Sequence, residues 1–193
     1  MSKKILDLFH IKSGINDTRE KEKTNIYTIE DWQSDMSNLF DDSDRTNHSV
    51  FKNSDSYAKY SLQEGDIIIS LLSVKAVKVT SNSVSKVINK NFVYLRAKNN
   101  ELDSDYFIYY FNESKAIRRQ LAREMQGSLV VRLTPAVLKG LEITYPDRIQ
   151  QSKIGLFYQL SRKLEILQNK RDSLMKKYLS GFFDKESQVK RGL

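Results

Sequence analysis

The stretch LFYQLSRKLEILQNKRDSLMKKYLSGFF (residues 156–183) determines how this chain is organised. Apolar residues recur there at alternating spacings of three and four, which is the heptad pattern of a coiled-coil helix. The series consists of Phe157, Leu160, Leu164, Leu167, Leu174 and Tyr178, with Arg171 in the remaining position. Between Ile149 and Gly181 only Gly155 disfavours a helix, and such a helix is about 45–50 Å long. A small domain cannot cover that length, so the sequence predicts a seam that pairs with another helix.

The composition indicates a folded protein without disulfides or thiolate zinc sites. The chain has 193 residues, of which 39% are hydrophobic and 29% charged, and it contains no cysteine. These proportions support a packed core, and the lack of cysteine fits a reducing compartment. The N-terminal apolar stretch is short and interrupted by charges, unlike a signal peptide. No run reaches the roughly 18 apolar residues of a membrane span, so we expect a cytoplasmic protein.

Positive charge is concentrated at the C-terminal end. The net charge is +8, and residues 148–193 contain 11 Lys or Arg against 4 Asp or Glu, whereas residues 1–147 contain 21 against 20. A basic segment attracts phosphate backbones, and counterion release makes that attraction dependent on salt. A solvated helix face produces the same pattern, and charge alone favours that simpler interpretation.

Short strands and helices alternate before the predicted coiled coil. A short apolar element at 5–11 comes first, and strand patterns follow at 24–29, 67–74, 76–80, 91–97, 129–133 and 141–146. Helices are predicted over 29–40, over 105–127 and from Pro135, preceded by the capping residues Thr28, Asp103 or Ser104, and Thr134. Residues 41–49 are polar and predict a loop. We therefore expect a mixed α/β (α+β) domain with small sheets over 1–147, a long coiled-coil helix over 148–183, and a basic, disordered tail over 184–193.

No pattern of residues indicates catalysis. The seven glycines are scattered and form no phosphate-binding loop, and His10 and His48 lie far apart in unlike settings. Asp103 with Asp105, or the acidic run at 41–44, could hold a hard cation, but acidic loops are usually only solvated. We therefore predict no catalytic residue, no metal site and no cofactor.

Polar and basic residues in the predicted loops are candidates for contact with nucleic acid. Loops on a rigid scaffold commonly carry recognition residues. Arginine and asparagine can make bidentate contacts with base edges, whereas lysine, serine and glycine N–H groups suit phosphates. Each residue alone is more commonly an ordinary surface residue, but their clustering in loops favours binding. The predicted set is Lys12, Gly14, Arg45, Asn47, His48, Lys75, Lys78, Gln126, Ser128 and Arg132.

The order of elements resembles the specificity (S) subunit of Type I restriction–modification systems. The matching stretches are LDLFHIKSG (6–14), EGDIIISLLSVKAVKV (64–79), NFVYLRAKNNELDSDYFIYYFN (91–112), MQGSLVVRLTPAVLKGLEITYPDRIQQSKIG (125–155) and the heptads that follow. The resemblance implies one target-recognition domain, which contains the turn at Gly127 and Ser128, and one spacer helix beginning near Gln151. The usual Pro-Pro before that helix is Pro146-Asp147 here, a change with little effect on the fold. A full S subunit carries two such domains and two such helices, so this sequence resembles a half subunit.

The resemblance implies a DNA-recognition module that has no enzymatic activity of its own. Two copies would form a homodimer through antiparallel spacer helices, with the heptad residues as dimerisation residues. The implied partners are double-stranded DNA, a Type I methyltransferase subunit and a translocating restriction subunit. The alternative is a coiled-coil interaction protein, similar to an S subunit, that competes for or assembles the modification subunits. The near-balanced charge of residues 1–147 mildly favours that alternative.

Overall fold

The structure, a computed structural model, describes residues 1–16, 25–37, 60–124 and 132–189, with side chains described as far as residue 183. It contains two compact units, Met1–Tyr158 and Gln159–Leu193. In chain order, the elements are β1 (Ser2–Lys4), α1 (Ile5–Leu8), β2 (Phe9–Ser13), β3 (Ile26–Tyr27), α2 (Ile29–Ser37), β4 (Ile67–Ser70), β5 (Lys75–Lys78), β6 (Val87–Ile88), β7 (Phe92–Ala97), α3 (Ser104–Glu113), α4 (Lys115–Glu124), α5 (Pro135–Gly140), β8 (Glu142–Thr144) and α6 (Arg148–Val189). The predicted fold class, a mixed α/β domain with small sheets followed by a long helix, is confirmed.

A four-stranded antiparallel sheet in the order β2-β7-β4-β5 lies at the centre of the first unit. Successive side chains of a strand point to opposite faces, so the alternation predicted at 91–97 separates two apolar clusters. Val93 and Leu95 belong to the cluster that also contains α3 residues. Phe92 and Tyr94 belong to the cluster that contains Trp32 of α2. The sheet is therefore covered on both faces, and its strand ends and connecting turns carry the exposed polar groups.

The helix predicted over 105–127 is wrong as a single element. Asp103 caps α3 as predicted, since its side chain accepts from the N–H groups of Asp105 and Tyr106. Ser114 then adopts an extended conformation, and its hydroxyl accepts from the Ala116 N–H at 3.1 Å, which starts α4. Serine favours such caps because its side chain competes for backbone donors. Apolar residues keep their helical spacing across the break, which is why the sequence pattern concealed it.

Helix α2 is fixed by a cap at its start and by a buried carboxylate near its end. Thr28 and Asp31 form a reciprocal cap, in which the Thr28 N–H donates to the Asp31 carboxylate at 3.0 Å. Asp35 is 1% exposed and accepts from the hydroxyls of Tyr27 at 2.8 Å and Thr80 at 2.5 Å. Burial raises the pKa of Asp35, and these hydrogen bonds oppose that rise. The network ties α2 to β3 and to the segment after β5, so the first residues of α2 have a fixed position.

The first turns of α6 belong to the first unit. Gln151 is 1% exposed, and its side chain accepts from the Asp103 N–H at 2.8 Å and donates to the Pro146 carbonyl at 3.0 Å. A Cβ at Gly155 would lie 2.9 Å from the Cβ of Asp105, so a glycine is required where α6 crosses the start of α3. These contacts extend the compact unit to Tyr158, beyond the boundary expected at residue 147.

The rest of α6 forms the second unit. The helix continues without a break to Val189, beyond the expected end at residue 183. A helix of 42 residues is about 63 Å long. Among the residues that the structure describes, no helix is long and apolar enough to cross a bilayer.

Candidate nucleic-acid interface

Four chain segments meet at one end of the four-stranded sheet. Ser13 at the end of β2 pairs with Val93, and Ser70 at the end of β4 pairs with Phe92 at the start of β7. The turn after β4 is joined to the segment before β7, since the Leu71 N–H donates to the Asn91 carbonyl at 2.9 Å. We call this region the loop end and define it by residues 12–15, 70–74, 89–92 and 132–133.

Arg132 is held at the loop end by the segment just before β7, which is distant from it in sequence. Its guanidinium donates to the Lys90 carbonyl at 3.2 Å and to the Asn91 side-chain oxygen at 3.3 Å. The neighbouring Leu133 N–H donates to the Leu71 carbonyl at 3.0 Å. The strand predicted at 129–133 is wrong for Arg132 and Leu133, which lie in no strand, and its first residues lie outside the described part of the chain. Arg132 therefore lies at the loop end with exposed Lys12 and Lys90.

Gly14 has a structural reason for being glycine. A Cβ at this position would lie 2.0 Å from the Asn89 carbonyl oxygen, so any side chain would displace the segment before β7. The Gly14 N–H donates to the Phe92 carbonyl at 3.2 Å, and the next residue, Ile15, donates to the Ile88 carbonyl at 2.9 Å. The Gly14 N–H, which was predicted to bind a phosphate, is therefore engaged inside the protein, and DNA contact at Gly14 stays a prediction.

A concavity of about 370 Å³ opens at the loop end beside the start of α2. It combines exposed apolar side chains with amide and hydroxyl groups. Its lining residues are Thr28, Ile29, Glu30, Ser70, Leu72, Asn89, Asn91 and Phe92. None of these residues was among the sequence-predicted contacts, because Leu72 lay inside an apolar run that predicted a strand, Asn91 was the first residue of the strand predicted over 91–97, and Asn89 lay just before it. The only sequence signal for the two asparagines was their position at or just before the start of an alternating strand pattern.

The predicted residues Lys75 and Lys78 bond to helix α3. Lys75 donates to the Asn112 carbonyl at 3.0 Å and lies 3.4 Å from the Glu113 carboxylate, and Lys78 lies 3.1 Å from the Asp105 carboxylate. The Asn112 side chain adds two hydrogen bonds to the backbone of Ala76, at 2.8 and 2.9 Å, as a neighbouring strand would. These contacts hold α3 against β5, and a DNA contact by either lysine stays a prediction.

Several sequence-predicted residues lie outside the described part of the chain. They are Arg45, Asn47, His48, Gln126 and Ser128, together with Gly127 and the acidic run at 41–44. The other acidic candidates have partners, since Asp103 caps α3 and Asp105 pairs with Lys78. No group of three or more histidines and carboxylates placed to hold a metal ion occurs among the described residues.

The predicted heptad residues form a second exposed surface. In the second unit, Leu160, Leu164, Leu167, Leu174 and Tyr178 are each more than half exposed, and Phe157 of the first unit is also exposed. Arg171 donates to the carboxylate of the adjacent Asp172 at 2.8 and 3.0 Å, which holds its guanidinium beside the heptad positions. Long side chains commonly place their charge at the edge of an apolar surface in this way.

Solved structures of similar fold come from Type I restriction–modification systems. The HsdS subunit from Thermoanaerobacter tengcongensis matches with a TM-score of 0.50 and 14% identity, over 89% of this chain and 39% of that one. The S subunit from M. genitalium matches with a TM-score of 0.50 and 13% identity, over 89% and 41%. A structure on the assembly and conformational transition of a type I R-M system matches with a TM-score of 0.53 and 13% identity, over 92% and 42%. This chain thus spans about two-fifths of their length.

The family of this chain is shown by a match to a family model and not by the solved structures. No curated protein matches the chain. The family model of the Type I restriction modification DNA specificity domain matches residues 1–176, which include the loop end and most of α6. Specificity subunits of these systems recognise DNA and are not their catalytic components. The resemblance inferred from the sequence is confirmed: this chain belongs to the family of Type I restriction modification DNA specificity domains.

Proposed function

We propose that this chain is a half-length DNA sequence-recognition subunit of a Type I restriction–modification system. The observation that carries the proposal is the loop end, where strand register brings Lys12 and Asn91 to one end of the sheet, hydrogen bonds hold Arg132 beside Asn91, and a concavity opens. Exposed cations can bind phosphates, while amide and guanidinium groups can bind base edges in the major groove. Both kinds of contact are needed for a protein that reads a sequence in duplex DNA.

Arg132 is suited to read a base because it is already oriented. Its two hydrogen bonds to Lys90 and Asn91 use one terminal nitrogen of the guanidinium, and its other nitrogens bond to no described residue. A guanidinium held in this way loses less side-chain entropy when it pairs with guanine O6 and N7. Arg132 therefore has an orienting contact on the protein side and donors that remain for DNA.

The dimer is the second part of the proposal. The described part of the chain contains one recognition domain, and the exposed heptad residues of α6 follow the pattern of a helix that pairs with a partner helix. In the proposed homodimer, two α6 helices pair antiparallel and present two recognition domains to two DNA half-sites. A twofold dimer reads inverted copies of one half-site, so the target is a bipartite palindrome with an unread spacer.

Catalysis is assigned to other subunits in the proposal. The chain acts in the cytoplasm, carries no cofactor, and directs a Type I methyltransferase subunit and a restriction subunit to its DNA target. The partner methyltransferase would hold S-adenosylmethionine. The purified chain with only S-adenosylmethionine added is therefore expected to leave DNA unmethylated.

A coiled-coil interaction protein with little DNA reading of its own is the second candidate. It is favoured by the near-equal numbers of basic and acidic residues in 1–147 and by the ion pairs of Lys3, Lys75, Lys78 and Lys86, which reduce their attraction for phosphate. Such a protein would bind the modification subunits and would show only weak, salt-sensitive affinity for any duplex.

Selection from a random duplex library separates the two candidates. The full chain is used alone and together with a Type I methyltransferase subunit. The proposed function predicts enrichment of one bipartite inverted repeat in at least one of these two states. Capture of the methyltransferase subunit without enrichment of any sequence would support the interaction protein instead.

A further inference from the structure

We propose that Leu72 and Ile29 form a thymine-reading contact, in which they pack against the C5-methyl group of a thymine in each DNA half-site. The inference rests on the proposed function, and it names a base and the residues that read it. It follows from where these two side chains are exposed, how they are held and which polar groups surround them.

Leu72 and Ile29 are exposed apolar side chains that the structure brings together from distant parts of the sequence. Leu72 is 56% exposed in the turn after β4, and Ile29 is 43% exposed at the first residue of α2. Both line the concavity at the loop end. Apart from α6, the other exposed large apolar residues in the described part of the first unit are Met1 and Leu6. Exposed apolar residues that converge beside polar groups are typical of a binding surface.

The turn that carries Leu72 is held by hydrogen bonds on both sides. The Ser73 N–H donates to the Ser70 hydroxyl at 3.2 Å, and the Val74 N–H donates to the Ser70 carbonyl at 3.0 Å. Val74 has a φ of 52°, which is costly for a β-branched residue. The Leu71 backbone also bonds to Asn91 and Leu133. Leu72 is thus presented by a rigid and strained turn, which keeps the entropic cost of binding low.

The polar groups of the concavity select among base edges. The Asn89 side chain is engaged inside the protein, with its oxygen accepting from the Asn91 N–H at 2.9 Å. The Asn91 side-chain oxygen accepts from Arg132, whereas its amide nitrogen bonds to no described residue. The Asn91 amide is therefore available to the concavity as a hydrogen-bond donor beside two apolar side chains.

That combination fits thymine better than any other base. In the major groove thymine presents the O4 acceptor beside its C5-methyl group, so Asn91 can donate to O4 while Leu72 and Ile29 contact the methyl. Cytosine presents an N4 donor and no methyl, which would oppose the Asn91 donor. The Glu30 carboxylate, which also lines the concavity, repels a phosphate and can accept from N6 of the paired adenine. The site is therefore suited to a base edge and not to the DNA backbone.

The test replaces thymine by deoxyuridine, which lacks only the C5-methyl group. A series of selected duplexes is made, each with deoxyuridine in place of thymine at one position of both half-sites. The affinity of each duplex for the full chain is measured with the chain alone or with the methyltransferase subunit, whichever state selected the duplex. For the wild-type protein, one position should weaken binding about fourfold per methyl group, or about 15-fold for two half-sites. Leu72→Ala and Ile29→Ala should each weaken binding to the thymine duplex and reduce the deoxyuridine effect at that position to less than about twofold.

Leu6→Ala is the matched control, because Leu6 is an exposed leucine on α1, the helix before β2, whereas the loop end lies at the other end of β2. It should retain the full wild-type response to deoxyuridine. A selected half-site without thymine, a wild-type protein that is indifferent to deoxyuridine at every position, or variants that retain the wild-type response would each overturn the inference. Those outcomes leave sequence-specific binding intact, whereas the absence of any selected sequence would remove the proposed function as well.

Discussion

Replacement of Leu164 by alanine should weaken the proposed homodimer, and the exposed fraction of Leu164 determines how much binding free energy is lost. Leu164 is 57% exposed in the single chain, and complete burial of a leucine side chain contributes about 1.5–3 kcal/mol. Covering the exposed share therefore contributes about 1–1.7 kcal/mol per copy, or about 2–3.4 kcal/mol in a symmetric dimer that contains the residue twice. Losing most of this raises the dimer dissociation constant about 10- to 200-fold. Leu164→Asp should be more severe, because it places an unpaired charge in the seam.

Sedimentation equilibrium over a range of protein concentrations measures this dissociation constant. Ile166→Ala is the matched control, since Ile166 lies on the same helix, two residues further along and outside the heptad series. The control should dimerise as the wild type does, and circular dichroism should show equal helix content in all variants. A wild-type chain that is monomeric at micromolar concentration would refute the dimer. Equal effects of Leu164→Ala and Ile166→Ala would refute the assignment of the seam.

Three further predictions concern the seam and the loop end. Because the chain contains no cysteine, mixed Leu160→Cys and Leu174→Cys chains, with cysteines near opposite ends of the seam, should cross-link to each other more readily than either does to itself if the helices are antiparallel; self-linking alone would indicate a parallel pair. Deletion of residues 164–170, one heptad, should shorten the preferred spacer between half-sites and leave the half-site sequences unchanged, as mapping of methylated adenines in a host with the modification partner would show. Arg132→Ala should cost about 1–3 kcal/mol of discrimination at one base pair, or weaken all duplexes alike with a lower salt slope; no change in either quantity would exclude Arg132 from the interface.

Local features of the fold follow from the sequence because they depend on neighbouring residues. Thr134 is recognisable as a cap from residue type and position, as is a cap at Asp103 or Ser104; the structure confirms Thr134 and assigns the other cap to Asp103. The alternation at 91–97 correctly assigns opposite faces to Val93 and Phe92. The heptad spacing predicts the long helix, although its end extends to Val189.

Features that depend on distant parts of the chain could not be predicted in this way. The break at Ser114 leaves the apolar spacing unchanged, so periodicity alone cannot detect it. Gly14 and Gly155 are required by close contact with Asn89 and Asp105, which lie far away in sequence. The loop end exists only because strand register brings separate turns together, so Leu72 was missed. Lys78 was predicted to contact DNA from its charge and its place near the predicted hairpin, although its ammonium group forms an ion pair within the domain.

The most direct test of DNA sequence recognition is a ratio of two affinities. The full chain, with the methyltransferase subunit if binding requires it, is titrated with the selected bipartite duplex and with a duplex of equal length and composition in scrambled order. Both titrations use the same salt concentration, because phosphate contacts alone make affinity depend on salt. A sequence reader is predicted to favour the selected duplex by at least about a thousandfold. A ratio below about ten would contradict recognition and leave only non-specific attraction to phosphates.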